Sequence, residues 1–392
     1  MKDAAGKPQA PLTVVPTAGP WLQPGGVLLH VGPPKTGTTA LQTAQFAARR
    51  ELAEQGFRYP VRKDRGRLVN QHGYAGAALM GRQRQGVDSV EPIAVWEALV
   101  RKVQRRDDRA LLSSEFFAEF EPEHIARAIE DFGSEDLQVL ITLRPLASLL
   151  ASTWQQDLKG GQPQSFDQWL TERLEGSEDQ VFWYRHAHDE LVERWVSQLG
   201  ADRVAVLGVD PSQPTELLRN FEQLTGITSG TLQPKRGNRS LTQPETELIR
   251  EIYRLLDDEI DEQQFHLLVR WGGFTGLVER RDAPAAEQRI IAPDWAIRRA
   301  SEIHGPMLDR IVELDVTRFG DFDALRIPPT PTDAKAIVGL RDEATSQVPV
   351  DAAAQLALGI YRAALRQQMA NRPTDTGSAK PRSWWRRRSR SG

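Results

Sequence analysis

An apolar run that leads into a glycine-containing turn and then into a helix pattern constrains this chain more than any other feature. Residues 27–31 read VLLHV, the pattern of a strand buried on both faces of a parallel sheet. The turn GPPKTGTT follows at 32–39, and the segment after it has helical spacing that ends at Gly56. This order predicts a strand–loop–helix unit near the start of the folded region.

The same alternation continues along the chain. Further strand patterns lie at 57–60, 109–115, 137–143 and 202–210. Helix patterns lie at 92–106, 121–133, 145–160, 189–200, 214–227, 245–273 and 294–315. Strands that alternate with helices at this spacing predict an α/β fold, with a mostly parallel central sheet flanked by helices on both faces. Ligands of such sheets bind beyond the C-terminal ends of the strands.

Composition excludes several kinds of site. The 392 residues, 40% of them hydrophobic and 26% charged, can bury a sizeable core. The chain has no cysteine, which rules out disulfides, thiolate zinc sites and cysteine nucleophiles, and its seven histidines are scattered. His186 and His188 are two residues apart, and we expect a solvated helix start there rather than a metal site. We therefore predict no bound metal.

Composition also suggests where the protein resides. No apolar run approaches the roughly 18 residues that span a bilayer, and the first 20 residues carry proline and charge where a signal peptide would be apolar. We expect a cytoplasmic protein. The last 21 residues have a net charge of +6, and residues 380–390 combine basic side chains with Trp384 and Trp385. This tail predicts a peripheral contact with an anionic membrane, although a tail without a defined role is the alternative.

The sequence suggests four successive regions. We predict a flexible lead-in at 1–25, a main domain at 26–330, a C-terminal helical segment at 331–371 and the basic, disordered tail at 372–392.

The turn at 32–39 has the composition of an anion site. A glycine turn at a helix N-terminus offers unpaired backbone N–H groups and the positive end of the helix dipole. Hydroxyl donors come from Thr36, Thr38 and Thr39, and Lys35 adds a full charge. Gly32 and Gly37 have the separation of an ATP-binding loop, but a threonine occupies the position of its lysine. An ordinary helix-capping turn is the alternative.

Two more loops carry basic residues at predicted strand or helix ends. Arg144 ends a strand, and Ser152 lies eight residues further on in the next helix, where the two could hold one phosphate. Lys235, Arg236 and Gly237 form a basic pair followed by glycine ahead of a helix that we expect to start at Ser240 or Thr242. A surface ion pair and a solvated loop are the respective alternatives.

These loops together resemble the sulfotransferase superfamily that uses 3′-phosphoadenosine 5′-phosphosulfate (PAPS). PKTGTT matches the family's phosphosulfate loop, and HVGPPKTGTTALQ, RALLSSE, LRPLASLLASTWQQDLK and NRSLT look like a bacterial branch. The resemblance covers about 27–242. It implies a P-loop NTPase-like sulfotransferase fold with extra C-terminal helices, a donor core at 27–242 and a helical acceptor-side region at 243–330.

The resemblance also implies roles for these residues. The 5′-phosphosulfate would be held by Pro34, Lys35, Thr36, Gly37, Thr38 and Thr39. The 3′-phosphate would be held by Arg144 and Ser152, together with Lys235, Arg236 and Gly237. Familiar members place an aromatic residue after the Thr-Thr pair to stack on adenine, whereas this chain has Ala40.

The implied reaction is sulfuryl transfer from PAPS, by in-line displacement, to a hydroxyl of a glycan, lipid or small metabolite. Lys35 would carry the charge that the leaving oxygen needs. The general base would be Glu115, at the end of RALLSSE, or His72, in VNQHGYAG. No nucleic acid partner is expected. The alternatives are a kinase-like nucleotide-binding protein and a catalytically inactive P-loop-type protein.

Overall fold

The structure is a computed structural model that describes residues 20–64, 66–82, 92–104, 108–176, 180–210, 213–235, 239–256, 260–327, 337–338 and 348–370. The chain divides into two compact units. The first comprises Met1–Leu255 and Ala283–Val348, and the second comprises Leu256–Asp282 and Pro349–Gly392. The helical pattern at 245–273 is therefore shared between the two units. The basic tail lies outside the described residues.

The strands of the first unit form one large sheet and two small ones. In chain order the strands are β1 (Val27–Val31), β2 (Phe57–Arg58), β3 (Val61–Asp64), β4 (Arg67–Asn70), β5 (Arg109–Ser114), β6 (Leu137–Leu143), β7 (Val204–Gly208), β8 (Ile290–Ile291), β9 (Thr317–Phe319) and β10 (Ile337–Val338). The large sheet has the order β2-β5-β1-β6-β7-β9, and every neighbouring pair in it is parallel. The predicted α/β fold with a parallel central sheet is confirmed.

Helices of the first unit connect these strands and cover both faces of the large sheet. In chain order the α-helices of the two units are α1 (Thr38–Ala47), α2 (Arg49–Glu54), α3 (His72–Leu79), α4 (Pro92–Val103), α5 (Pro122–Phe132), α6 (Leu146–Lys159), α7 (Phe166–Leu174), α8 (Gln180–His186), α9 (His188–Leu199), α10 (Pro214–Thr225), α11 (Gln243–Leu256), α12 (Glu262–Gln264), α13 (Phe274–Arg280), α14 (Asp294–Glu313) and α15 (Val350–Ala370), of which α12, α13 and α15 belong to the second unit. A π-helix at Phe265–Gly273 joins α12 to α13. Within the described ranges, no helix has the length and apolar character needed to cross a bilayer.

The core lies on both faces of the large sheet. Along β1, Leu29 and Val31 belong to one buried cluster and Leu28 belongs to the other. This alternation is the physical consequence of a strand covered on both sides. Trp21 and Leu22 are also buried, and the N–H of Trp21 donates to the Leu224 carbonyl oxygen at 2.9 Å. The end of the predicted flexible lead-in is thus part of the core.

The expectation of a solvated helix start at His186 and His188 is wrong. Both side chains are buried. His188 Nδ1 lies 2.9 Å from Nε2 of His304, which comes from α14. The packing of α9 against α14 removes the His188 ring from water, and the sequence distance between the two helices hides that contact. His186 ends α8, and its ring packs against Phe182 with 4.8 Å between the centroids.

The second unit is held by a close helix crossing. Gly272, Gly273 and Gly276 face α15, where a Cβ on any of them would collide with the opposing helix. Small residues let two helix backbones approach closely, so these glycines set the spacing of the π-helix and α13 against α15.

Candidate active site

The loop between β1 and α1 is held in a tight conformation. Lys35 has a left-handed backbone with φ 72°, and Gly37, the N-cap of α1, has φ 98°. The Thr38 hydroxyl donates to the Gly32 carbonyl oxygen at 3.1 Å, and a Cβ on Gly32 would collide with that hydroxyl. A left-handed lysine is strained, and such strain concentrates at functional sites. The N–H groups that begin α1 lie at the end of this loop. That of Ala40 donates to the Gly37 carbonyl oxygen at 3.0 Å, whereas those of Thr38 and Thr39 come too early in the helix for an intrahelical acceptor.

A chain of buried polar groups fixes the loop from below. Thr36 Oγ1 donates to the Pro33 carbonyl oxygen at 2.8 Å, which leaves it as the acceptor from Thr142 Oγ1, also at 2.8 Å. Thr142 in turn accepts from His30 Nε2 at 3.1 Å, and His30 Nδ1 accepts from the Ser113 hydroxyl at 2.7 Å. Burial lowers the pKa of His30 to about 3, so the ring is neutral. This chain ties β5, β1 and β6 together beneath the loop.

Two cations converge at the lip of this loop. Arg144 Nη1 donates to the Lys35 carbonyl oxygen at 2.7 Å, so the arginine that ends β6 holds the strained residue in place. Lys35 Nζ donates to Gln156 Oε1 of α6 at 3.1 Å. Burial lowers the pKa of Lys35 and the charge of Arg144 lowers it further, while Glu115 and Asp157 oppose the shift. The site therefore concentrates positive charge in a partly desolvated place.

Arg144 has the features of an anion ligand. Burial lowers its pKa to about 10, against an opposing contribution from Asp210. Its Nε is buried and has no hydrogen-bond partner among the described residues. A desolvated guanidinium with an unused donor is costly in the free protein, and an anion would offset that cost.

The other residues predicted for the 3′-phosphate lie differently. The Ser152 hydroxyl donates to the Leu149 carbonyl oxygen at 2.9 Å, and within the described ranges no hydrogen bond joins it to Arg144. Lys235 is exposed, and Arg236 and Gly237 lie outside the described residues.

The segment after that third loop is anchored to the helix that carries Ser152. The side chain of Gln155, on α6, exchanges two hydrogen bonds with the backbone of Leu241, at 3.0 and 3.1 Å. The helix expected to start at Ser240 or Thr242 begins at Gln243.

Glu115 lies where β5 ends and a short 3₁₀ helix begins. The Ser114 hydroxyl accepts from the Phe116 N–H at 3.1 Å and so caps this turn. Gln42 of α1 reaches across, and its Nε2 donates to Glu115 Oε2 at 3.3 Å and to the Ser113 carbonyl oxygen at 3.0 Å. Because β5 is the direct neighbour of β1, this carboxylate lies beside the Lys35 loop.

His72 is buried, and both of its ring nitrogens have hydrogen-bond partners. Its Nε2 donates to the Pro60 carbonyl oxygen at 2.7 Å, and its Nδ1 accepts from the Ser113 N–H at 3.2 Å. Burial lowers its pKa to about 4, although the two backbone hydrogen bonds oppose that shift. A neutral ring with both nitrogens bonded has none left for a substrate proton.

The sheet order brings three of the predicted residues together. Arg144 follows β6, Lys35 follows β1 and Glu115 follows β5, and these strands are adjacent. Sequence reasoning missed the supporting side chains: His30, Ser113 and Thr142 below the loop, with Gln42 and Gln156 beside it. For the three strand residues the available signal was a polar side chain inside an otherwise apolar strand. Gln42 and Gln156 lie on helices and gave no such signal.

The described parts of the chain contain no group of three or more His, Asp or Glu side chains that could hold a metal ion.

Comparisons with known proteins add little to this site. No protein-family model and no curated protein matches the chain. Among solved structures it is similar to the crystal structure of a sulfotransferase from Alicyclobacillus acidocaldarius, with 18% identity, coverage of 58% of this chain and 90% of that chain, and a TM-score of 0.36. A similarity of this size leaves the function to be inferred from the residues of the site.

Proposed function

We propose that the protein is a sulfotransferase that moves a sulfuryl group from PAPS to a hydroxyl of a glycan, lipid or small metabolite. The observation that carries the proposal is the convergence of Lys35 and Arg144 at the N-terminus of α1, with the Glu115 carboxylate on the neighbouring strand. Two desolvated cations suit a ligand with two anionic groups. The adjacent carboxylate suits a reaction that removes a proton.

The donor would bind across the ends of β1 and β6. The 5′-phosphosulfate fits the N–H groups at the start of α1 with Thr39 and Lys35, because a helix N-terminus favours an anion. Thr38 would need to redirect its hydroxyl from the Gly32 carbonyl oxygen to take part. The 3′-phosphate fits Arg144, whose buried Nε is without a hydrogen-bond partner among the described residues. Ser152 would need to redirect its hydroxyl from the Leu149 carbonyl oxygen to take part.

The donor supplies the sulfuryl group and a phosphate as the leaving group. The acceptor oxygen forms its bond to sulfur as the bond between sulfur and the phosphate oxygen breaks, and that bonding electron pair stays with the phosphate oxygen. Lys35 would neutralise the charge that develops there. The acceptor proton passes to Glu115 and then to solvent, which completes the transfer.

Glu115 fits the role of general base better than His72 does. Glu115 is partly exposed at a strand end and is held by one amide hydrogen bond from Gln42. His72 is buried, and both of its nitrogens are bonded to backbone groups. A general base must come within hydrogen-bond reach of the proton that it removes.

The kinase-like alternative fits this loop less well. An ATP-binding loop has its lysine at the position of Thr38, where it reaches the β- and γ-phosphates. Here the Thr38 hydroxyl closes the turn on the Gly32 carbonyl oxygen. The lysine lies three residues earlier, within the loop, beside Gln156 and Arg144.

Turnover of labelled donor tests this proposal. We expect [³⁵S]PAPS to be converted to 3′-phosphoadenosine 5′-phosphate (PAP) and a sulfated product when the protein meets a panel of glycans, lipids and small metabolites, with activity retained in EDTA. A protein that binds PAP but consumes no PAPS with any acceptor would favour the catalytically inactive alternative.

A further inference from the structure

Tyr59 has a buried hydroxyl that the fold leaves unbonded. The residue is 4% exposed, and its hydroxyl has no hydrogen-bond partner among the described residues. Two other tyrosines behave differently: the Tyr184 hydroxyl donates to the Phe120 carbonyl oxygen at 3.2 Å, and that of Tyr253 donates to Leu158. Buried hydroxyls are nearly always paired, because an unpaired one costs about 1–3 kcal/mol.

The position of Tyr59 relates it to the candidate base. It follows the last residue of the edge strand β2, which pairs directly with β5, the strand that leads to Glu115. Its ring packs edge-on against His72 with 4.5 Å between the ring centroids, and His72 accepts the Ser113 N–H two residues before Glu115. Because Arg58 lies opposite Ala110, the backbone of Tyr59 is level with the middle of β5, and the His72 ring links it to Ser113, near the strand end.

Electrostatics keep this phenol a hydrogen-bond donor. Burial raises the pKa of Tyr59 above its ordinary value, and the nearby charge of Glu115 raises it further. The phenol is therefore neutral at pH 7 and keeps its proton to donate in a hydrogen bond.

The order of the strands places Tyr59 and the two cations on opposite sides of Glu115. Arg144 follows β6, the Lys35 loop follows β1 and Glu115 follows β5, in that order along the strand ends. Strand β2, which Tyr59 follows, lies on the far side of β5 and ends opposite Ala110. Arg144 and Lys35 take the anionic donor in the proposed function. The side of Glu115 away from these cations is therefore the side of Tyr59.

We propose that the Tyr59 hydroxyl binds the acceptor, donating a hydrogen bond to the acceptor oxygen while Glu115 takes the proton of that oxygen. This inference rests on the proposed function. An acceptor hydroxyl held in this way has one lone pair bonded to Tyr59 and its proton directed at Glu115, so its second lone pair is left to attack sulfur. The bond to sulfur forms and the bond from sulfur to the phosphate oxygen breaks as in the proposed transfer, and Tyr59 keeps its proton throughout. The acceptor site then lies over β5 and β2, rather than in the helical region at 243–330.

The substitution Tyr59→Phe separates this role from a structural one. It keeps the ring that packs on His72 and removes only the unpaired hydroxyl, so the free protein should melt no lower than the wild type. Tyr184→Phe is the matched control, because it removes a hydroxyl that is bonded to a carbonyl oxygen. That control should melt lower and should keep its activity.

The experiment measures PAP release from PAPS in buffered 20% glycerol, where water and glycerol supply simple hydroxyl acceptors, together with the calorimetric Kd of PAP and the melting temperature. For Tyr59→Phe we expect PAP release to fall about tenfold, the effect of one lost hydrogen bond, with the Kd of PAP within twofold of wild type. Unchanged release, or a melting temperature lowered as in Tyr184→Phe, would overturn the role of Tyr59. A wild-type protein that neither binds PAP nor releases it would instead overturn the proposed function.

Discussion

The donor half and the acceptor half of the candidate site differ in how their polar groups are bonded. On the donor half, Arg144 holds the backbone of Lys35, and a continuous hydrogen-bond chain from Ser113 to Pro33 supports the loop. On the acceptor half, Glu115 receives one long hydrogen bond from Gln42, and the Tyr59 hydroxyl has no partner within the described ranges. The fold thus organises the charged donor groups in advance, whereas the acceptor groups keep hydrogen-bonding capacity for a ligand.

The largest expected effect comes from the donor half. Lys35→Ala should lower sulfuryl transfer from PAPS by about 10³-fold, because a cation placed where charge develops in the transition state contributes on this scale. PAP should still bind, since Arg144 and the helix N-terminus remain. The measurement is PAP release under saturating PAPS.

Arg50→Ala is the control for this variant, because it removes an exposed cation from the neighbouring helix α2. Its turnover should equal that of the wild type. Near-normal turnover in Lys35→Ala would show that the lysine has no leaving-group role.

Arg144 should affect binding more than chemistry. Arg144→Ala should raise the Kd of PAP by about 10²-fold, the effect of losing hydrogen bonds to a charged group. Arg144→Lys keeps the charge but lacks the planar guanidinium, so its Kd of PAP should lie between those of the wild type and Arg144→Ala. Calorimetry measures all three proteins, and equal PAP affinity in the alanine variant would remove Arg144 from the donor site.

The buried histidines of both halves predict acid sensitivity. The pKa of His30 is lowered to about 3 and that of His72 to about 4, each from an ordinary value of 6.5, which an unfolded chain retains. Because the folded state disfavours their protonation, their stabilising contribution is complete above pH 6.5 and is lost as the pH falls toward 4 and then 3. Between pH 7 and pH 5, each should lower the free energy of unfolding by about 1–2 kcal/mol.

Urea unfolding at the two pH values measures this loss. Ring NMR shifts of His30 and His72 that remain those of neutral imidazole in the folded protein at pH 5 would assign this loss of stability to the buried rings. Equal stability at pH 7 and pH 5 would contradict the neutral, hydrogen-bonded state of these residues.

The smallest effect is expected from loss of the hydrogen bond that Gln42 donates to Glu115 in the acceptor half. Gln42→Ala removes the amide that holds the Glu115 carboxylate and should lower turnover about fivefold without changing the Kd of PAP, since one long hydrogen bond of 3.3 Å contributes about 1 kcal/mol. Thr43→Ala, at the next and exposed position of α1, is the matched control. A changed PAP affinity in Gln42→Ala would mean that Gln42 supports the donor half instead.

Local patterns predicted much of the fold. The apolar runs of β1, β5, β6 and β7 and the periodic helices between them report burial directly, so the parallel sheet followed from the sequence. β9 did not, because Thr317–Phe319 is too short to show a period. The hairpin of β3 and β4, with its exposed residues, also lacked a burial signal.

The donor half of the site could be predicted from local sequence patterns, whereas the acceptor half could not. Donor residues are contiguous in GPPKTGTT or lie at the end of a strand, so their chemistry can be recognised from the sequence alone. Gln42 and Gln156 lie in stretches that resemble the family but have no role there that the sequence shows, and they contact Glu115 and Lys35 only in the folded chain. Tyr59 lies in no such stretch, and only the folded chain places it against His72. His72 drew attention as a titratable residue in an irregular stretch, but its backbone partners become visible only in the folded chain.

Calorimetric titration of the wild-type protein with PAP and, separately, with MgATP tests the central claim most directly. We predict binding of PAP without any added metal and no binding of MgATP, because the loop places Lys35 and Arg144 for a bisphosphate and has no lysine at the position of Thr38. Tight binding of MgATP with none of PAP would contradict the sulfotransferase reading of this site.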